Sequence, residues 1–115
     1  MNDQAAVASL SALAQLDRLA AFRLLVKAGP DGLPSGEIAE RLAVPPTRMS
    51  FHLATLERSG LVASRRIGRH ILYAASYEDV RGLLAFLTED CCGGNSAICS
   101  DFVALTASSV MPETC

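Results

Sequence analysis

Hydrophobic positions recur along this chain with two different periods, and the switch between them outlines the fold. Residues 4–16, QAAVASLSALAQL, carry Leu10, Leu13 and Leu16 at helical spacing. Asp17 then reads as the cap of a second helix reaching Lys27, with Leu19, Phe22, Leu25 and Val26 as its apolar stripe. Gly29-Pro30-Asp31-Gly32 is a turn signal that stops it. Ser35 is expected to cap a short helix over Gly36–Leu42, with Ile38, Ala39 and Leu42 inward and Glu37 suiting the helix dipole. After the break Ala43-Val44-Pro45, Pro46 fits the first turn of a fourth helix running to about Ser59. Met49, Leu53 and Leu56 form its buried face, and Gly60 takes the position just past its end.

The period then changes. LVASRRI (61–67) and HILYAA (70–75) read as strands joined at Gly68-Arg69, a hairpin. Ser76-Tyr77-Glu78-Asp79 resembles a capping box and opens a last helix to about Asp90, with Val80, Leu83, Leu84 and Leu87 on one side. Cys91-Cys92-Gly93-Gly94 and a weakly patterned tail with Cys99 and Cys115 follow. No internal repeat or long linker interrupts this order. The expected architecture is mainly α with a small β-hairpin, in the order α-α-α-α-β-β-α: a winged helix-turn-helix. Residues 1–90 would form the folded winged helix-turn-helix domain, and residues 91–115 a cysteine-containing segment and tail.

Composition agrees and narrows the class. Half of the 115 residues are hydrophobic and 19% are charged, a globular balance rather than a disordered one. With aromatics scarce and Trp absent, the core must be built from aliphatic side chains. A chain this short leaves much surface exposed, so apolar helices at both ends favour a dimer. No apolar run approaches the length of a membrane span, and the start lacks the basic residues of a secretory signal. A cytoplasmic protein is expected, with reduced cysteines available for metal or redox chemistry rather than structural disulfides.

The net charge of −2 hides a sharp division. From Arg41 to Tyr73 there are six arginines (41, 48, 58, 65, 66 and 69) against Glu57 alone, while the flanks carry eleven acids against four basic residues. A basic unit between acidic flanks is the footprint of a DNA-facing module, because duplex affinity comes largely from neutralised phosphates. The second helix of a helix-turn-helix enters the major groove through its N-terminal outward residues. Here those are Thr47, Arg48, Ser50, Phe51 and His52. Arg suits guanine, Ser and Thr several bases, and Phe a thymine methyl. Arg65, Arg66 and Arg69 at the hairpin suit phosphates or a minor groove. The competing reading makes Arg48 a solvated surface residue and the hairpin arginines guards of a strand edge. His52 could equally pack beside Leu53 and bond within the domain.

The run Gly36-Glu37-Ile38-Ala39-Glu40-Arg41-Leu42, then Ser50-Phe51-His52-Leu53 with Leu56, Gly60-Leu61-Val62, and Arg65-Arg66-Ile67-Gly68-Arg69 with Tyr73 resembles the ArsR/SmtB family of metal-responsive repressors. The early helix with Leu19, Phe22, Leu24 and Leu25 fits as well, so the resemblance covers about residues 8–94. It implies a homodimer paired through first and last helices, with Leu10, Leu13, Leu84 and Leu87 in the interface. It further implies binding to an imperfect palindrome of operator DNA until an inducer arrives. Many arsenic sensors of this family hold a cysteine pair in the second helix or at the start of the recognition helix. This chain has no cysteine before Cys91 and resembles instead the subgroup with a Cys-Cys-Gly-Gly segment and a third cysteine shortly after. The resemblance thus implies arsenite, As(III), as inducer, with antimonite, Sb(III), as a second metalloid.

The chemistry of the three thiols is compatible with that. Soft thiolates select thiophilic ions, and a trivalent metalloid takes three sulfurs in a pyramid. Cys91, Cys92 and Cys99 would supply them, Gly93-Gly94 freeing the backbone between. Zinc prefers four ligands, and only Cys115 is spare. Cadmium and lead, which accept three thiolates, and cysteine oxidation remain alternatives. An adjacent-cysteine disulfide is strained, so oxidation would pair Cys99 with Cys91 or Cys92. No cofactor is expected for DNA binding itself. An enzyme is not expected: no Arg or Lys follows Arg81 to cradle an oxyanion beside those cysteines, and no Ser/His/Asp set has a plausible context.

Overall fold

In the computed structural model, residues 1–88 are described. They form α1 (Asp3–Leu13), α2 (Leu16–Ala28), β1 (Leu33–Pro34), α3 (Ser35–Leu42), α4 (Pro46–Arg58), β2 (Val62–Ile67), β3 (His70–Ala75) and α5 (Tyr77–Thr88). The chain falls into two units, Met1–Leu83 and Leu84–Cys115; of the second, only the last residues of α5 are described. The expected boundary between residues 90 and 91, and all four cysteines, lie outside the described residues. No single helix among the described residues is long and apolar enough to cross a membrane.

The core of the first unit is aliphatic, as an aromatic-poor chain requires. Leu25 of α2, Ile38 of α3, and Met49, Leu53 and Leu56 of α4 are fully buried, and Val62 and Ala75 close it from the sheet. Leu53→Ala would leave a cavity where α2, α3 and the sheet meet α4, at a cost of about 2–5 kcal/mol. Proline at the first position of α4 is tolerated because that amide has no partner within the helix. Ala43 links α3 to α4 in the left-handed region, its amide donating to the carbonyls that α3 leaves free.

The expected hairpin is present, but it belongs to a three-stranded sheet in the order β1-β3-β2. Leu33 and Pro34 pair antiparallel with Tyr73 and Leu72, a two-residue strand too short for periodicity to reveal. Gly32 makes this pairing possible. Its φ is +75°, and a Cβ there would lie 2.3 Å from the Tyr73 carbonyl oxygen. At the other end of the sheet Gly68, with φ +61°, turns the hairpin.

Several helix starts differ from expectation. Leu16 is the first residue of α2 rather than part of α1, and is 82% exposed. Gln15, not Asp17, caps α2, its side-chain oxygen accepting from the Arg18 amide at 2.9 Å. Ser35 is the first residue of α3 rather than its cap, because Pro34 is held in the strand and the helix starts directly from it. In α2 the buried centre is Ala21 and Leu25, with Phe22 and Leu24 beside them; Leu19 and Val26 face outward. Ser76 does cap α5, accepting from the Asp79 amide, while its own hydroxyl donates to the Asp79 carboxylate.

Candidate nucleic-acid interface

Residue spacing on α4 sorts its two sides. Met49, Leu53 and Leu56 anchor it, which turns Thr47, Arg48, Ser50 and Phe51 to solvent. Phe51 is 71% exposed, an unusual position for an aromatic ring on a soluble helix. Arg48 lies one turn before it, so charge and ring share one side of the helix. Arg48 has no carboxylate partner among the described residues. Thr55 Oγ1 donates to the Phe51 carbonyl at 3.1 Å, inside the same helix.

His52 does not join this set. Its side chain is only 12% exposed and turns to α2, where Nε2 lies 3.7 Å from an Asp17 carboxylate oxygen. That nitrogen is buried without a hydrogen-bond partner among the described residues. The outward position expected for His52 is therefore corrected. Helical spacing puts it beside Leu53 at the edge of the buried side, and the approach of α2 decides which way it faces.

The wing carries its arginines on a tied base. Ser64 Oγ on β2 donates to the Glu57 carboxylate of α4 at 2.6 Å, joining hairpin and helix. Leu33, Ser64 and Tyr73 share one side of the sheet through their register. Burial, and secondarily the Glu57 carboxylate, hold the Tyr73 phenol above its ordinary pKa. Glu57 is thus engaged by the hairpin, and no carboxylate forms an ion pair with the exposed arginines of the wing among the described residues. Arg65, Arg66 and Arg69 are all exposed; Arg65 reaches the Asp31 carbonyl at 3.4 Å, and Arg66 Nε donates to the Gly68 carbonyl at 3.3 Å. Neither bond neutralises a guanidinium. Arg41, in contrast, is paired with Glu37 one turn earlier on α3.

Of the residues expected at a dimer interface, Leu10 is exposed on α1, as are Leu84 and Leu87 on α5. Leu13 is half-buried and packs against the core of its own chain. The expected metal ligands Cys91, Cys92 and Cys99 lie outside the described residues. The sequence reading did not single out Ser64 and Glu57, which hold the wing to α4. A lone acid in a basic segment was the available signal.

Two helices at a tight turn, the second with a solvent-facing polar end and followed by a basic hairpin, define a winged helix-turn-helix. Comparisons with known proteins agree. A helix-turn-helix domain model matches residues 13–65. The transcriptional activator HlyU of Vibrio cholerae is 32% identical over 94 residues, spanning 82% of this chain and 84% of HlyU. The structure of reduced HlyU from Vibrio cholerae superposes with a TM-score of 0.61 at 32% identity, covering 76% of this chain and 88% of that one. Mb0332 of Mycobacterium bovis, described as a homodimeric winged helix-turn-helix DNA-binding domain and a possible ArsR-family regulator, gives a TM-score of 0.62 at 28% identity, covering 76% and 84%. The chain belongs to the helix-turn-helix transcriptional regulators, in the family of HlyU, with ArsR-type winged-helix proteins among its structural neighbours.

Proposed function

We propose that this regulator is a homodimeric repressor that binds operator DNA and releases it when Cys91, Cys92 and Cys99 capture arsenite. The observation that carries the DNA half is the solvent-facing N-terminal end of α4, where Thr47, Arg48, Ser50 and Phe51 stand clear of the core. In this reading Arg48 bonds a base edge, Phe51 meets a thymine methyl, and Arg65, Arg66 and Arg69 engage backbone or minor groove. His52 acts from behind, through its packing against α2, and touches no base.

The homodimer rests on the likeness to Mb0332 and on the apolar residues that α1 and α5 leave exposed, Leu10, Leu84 and Leu87. Two copies related by a two-fold axis read two half-sites of a palindrome. The protein acts in the cytoplasm, where its DNA is and where its thiols stay reduced.

The inducer half rests on the donor set in the sequence: three cysteines within nine residues, soft and complete for a trivalent metalloid. Antimonite shares that chemistry. Release by one to two decades requires about 1.4–2.8 kcal/mol of coupling, and operator DNA must weaken metalloid binding by the same factor. Thiol oxidation is the second reading, kept because the similar HlyU structure is described as the reduced form.

The experiment is fluorescence anisotropy on the promoter fragment upstream of its own gene, in reducing buffer, with arsenite, zinc, cadmium and a mild oxidant in separate arms. Arsenite should release the wild type, while Cys91→Ser and Cys99→Ser remain bound and unresponsive. Release by oxidant alone would move the assignment to a redox switch. A wild-type complex that survives every arm would overturn induced release while leaving DNA binding intact. A reporter on the same promoter fixes the sign of regulation: repression predicts higher expression on deletion.

A further inference from the structure

The corner between α1 and α2 creates a second place where charge is left over. The two helices meet at a bend of 100°, and the last turn of α4 closes the angle. Between them lies a cavity of about 250 Å³ lined by Ala8, Ser11, Ala12, Arg18, Thr55, Arg58 and Ser59. Two guanidinium groups and three hydroxyls line it, and no carboxylate does.

Each polar group has a partial local use. Arg18 Nε donates to the Ala12 carbonyl at 2.7 Å, and Nη2 reaches the Ser11 carbonyl at 3.5 Å, which closes the end of α1. Arg58 Nη2 donates to Thr55 Oγ1 at 3.3 Å. Ser59 Oγ is occupied between the Leu56 carbonyl and the Leu61 amide. A guanidinium has five N–H donors, so most of those on Arg18 and Arg58 remain, and no acid pairs with either among the described residues. Two like charges converging on one concave surface repel. An anion shared between them removes that repulsion and fits the planar fork of arginine.

We infer that the Arg18–Arg58 cavity binds a small free oxyanion of the phosphate class, separately from the cysteines and from the DNA-reading end of α4. Arg58 supplies the bond that depends on the ligand. Arg18 holds the corner and adds the second charge. Ser11 contributes a hydroxyl, which has no hydrogen-bond partner among the described residues. An occupant would grip the last turn of the same helix whose first turn meets DNA in the function proposed above, and any coupling between occupancy and operator affinity would be reciprocal.

The test is calorimetric titration of inorganic phosphate into the full-length, DNA-free protein at constant ionic strength, with chloride as the control anion. Thermal melts of the same samples run alongside. Saturable binding and a phosphate-specific rise in Tm are expected, with Arg58→Gln weakening the binding about tenfold or more. Ser11→Ala should weaken it less and leave the fold untouched; Arg18→Gln is held back as a variant that also loosens α1. Absence of saturable binding, or the same affinity in Arg58→Gln, would overturn the assignment. A third arm titrates phosphate into the promoter complex. Loss of phosphate binding there, together with a shallower salt dependence of DNA binding in Arg58→Gln, would assign the cavity to a DNA phosphodiester and overturn the free-anion reading.

Discussion

Helices α1 and α4 resemble each other in length and differ in which side their large residues take. In α4, Met49, Leu53 and Leu56 point into the core, and the outward side is polar except for Phe51. In α1 the buried residues are Ala6, Ser9 and Ala12, while Val7 and Leu10 face outward. Small residues let α1 lie close against its neighbours, and Ser9 donates to the Ser59 carbonyl just past the end of α4. An isolated chain would rarely leave branched side chains outside and alanines inside. The contrast separates a helix whose free side suits water and nucleic acid from one whose free side needs an apolar cover, which in our proposal is a second copy.

Substitutions that exchange the two roles test this contrast most directly. Leu53→Ala on α4 should destabilise the protein by about 2–5 kcal/mol. Leu10→Ala on α1 should change the stability of the monomer by only about 0.5 kcal/mol while shifting sedimentation toward monomer. Equal losses of stability in urea melts, or an unchanged oligomer in the second variant, would break the comparison.

Next in size is the corner that brings β1 to the sheet. Gly32→Ala combines a positive φ with a close approach to the Tyr73 carbonyl oxygen. It should cost about 1–3 kcal/mol, whereas the same change at exposed Gly36, where an added Cβ meets nothing, should be neutral or stabilising. Chemical denaturation of the two variants decides it.

On the nucleic-acid side, Arg48→Ala should lower operator affinity by about 1–3 kcal/mol and relax specificity at one base position, with no change in Tm. Arg65→Ala should weaken all sequences alike and reduce the salt slope by about one. Salt-dependent anisotropy on matched and mutated promoter fragments separates the two.

The smallest effect concerns Tyr73, in the middle strand of the sheet. Burial and Glu57 raise its pKa, so the folded chain holds the phenolic proton more tightly than the unfolded one. Below about pH 10 both states keep that proton and no penalty arises. Above it the unfolded chain ionises first, and stability falls as pH rises until the folded phenol ionises too. Tyr73→Phe should flatten this alkaline limb and leave stability near neutral pH little changed. An identical alkaline slope in the two proteins would remove Tyr73 as its source.

Much of the fold was legible because its signals are local. Met49, Leu53 and Leu56 announce a buried side by spacing alone; Pro46 and Gly60 mark the ends of that helix; Gly68 turns the hairpin. The basic segment from Arg41 to Tyr73 is equally a local signal, and the arginines of the wing within it are exposed. What failed was non-local. His52 sits on the border between the two sides of α4, and a residue there is assigned by whatever packs beside it, here α2 with Asp17. Leu13 and Leu10 share helical spacing, yet Leu13 is half-buried against the core while Leu10 is exposed, a difference that the sharp corner between α1 and α2 sets.

The sequence by itself determined the order of the helices and the hairpin, the side of α4 that is buried, the basic character of the wing and the clustering of three cysteines within nine residues. These depend on periodicity, turn chemistry and composition, each confined to a few neighbouring residues. Only the tertiary structure decided that Leu33 and Pro34 join the sheet, that Gln15 begins α2, that His52 turns inward and that Arg18 and Arg58 share one cavity. Those outcomes depend on contacts between residues far apart in the chain, where packing, and not local preference, sets which partner each group finds.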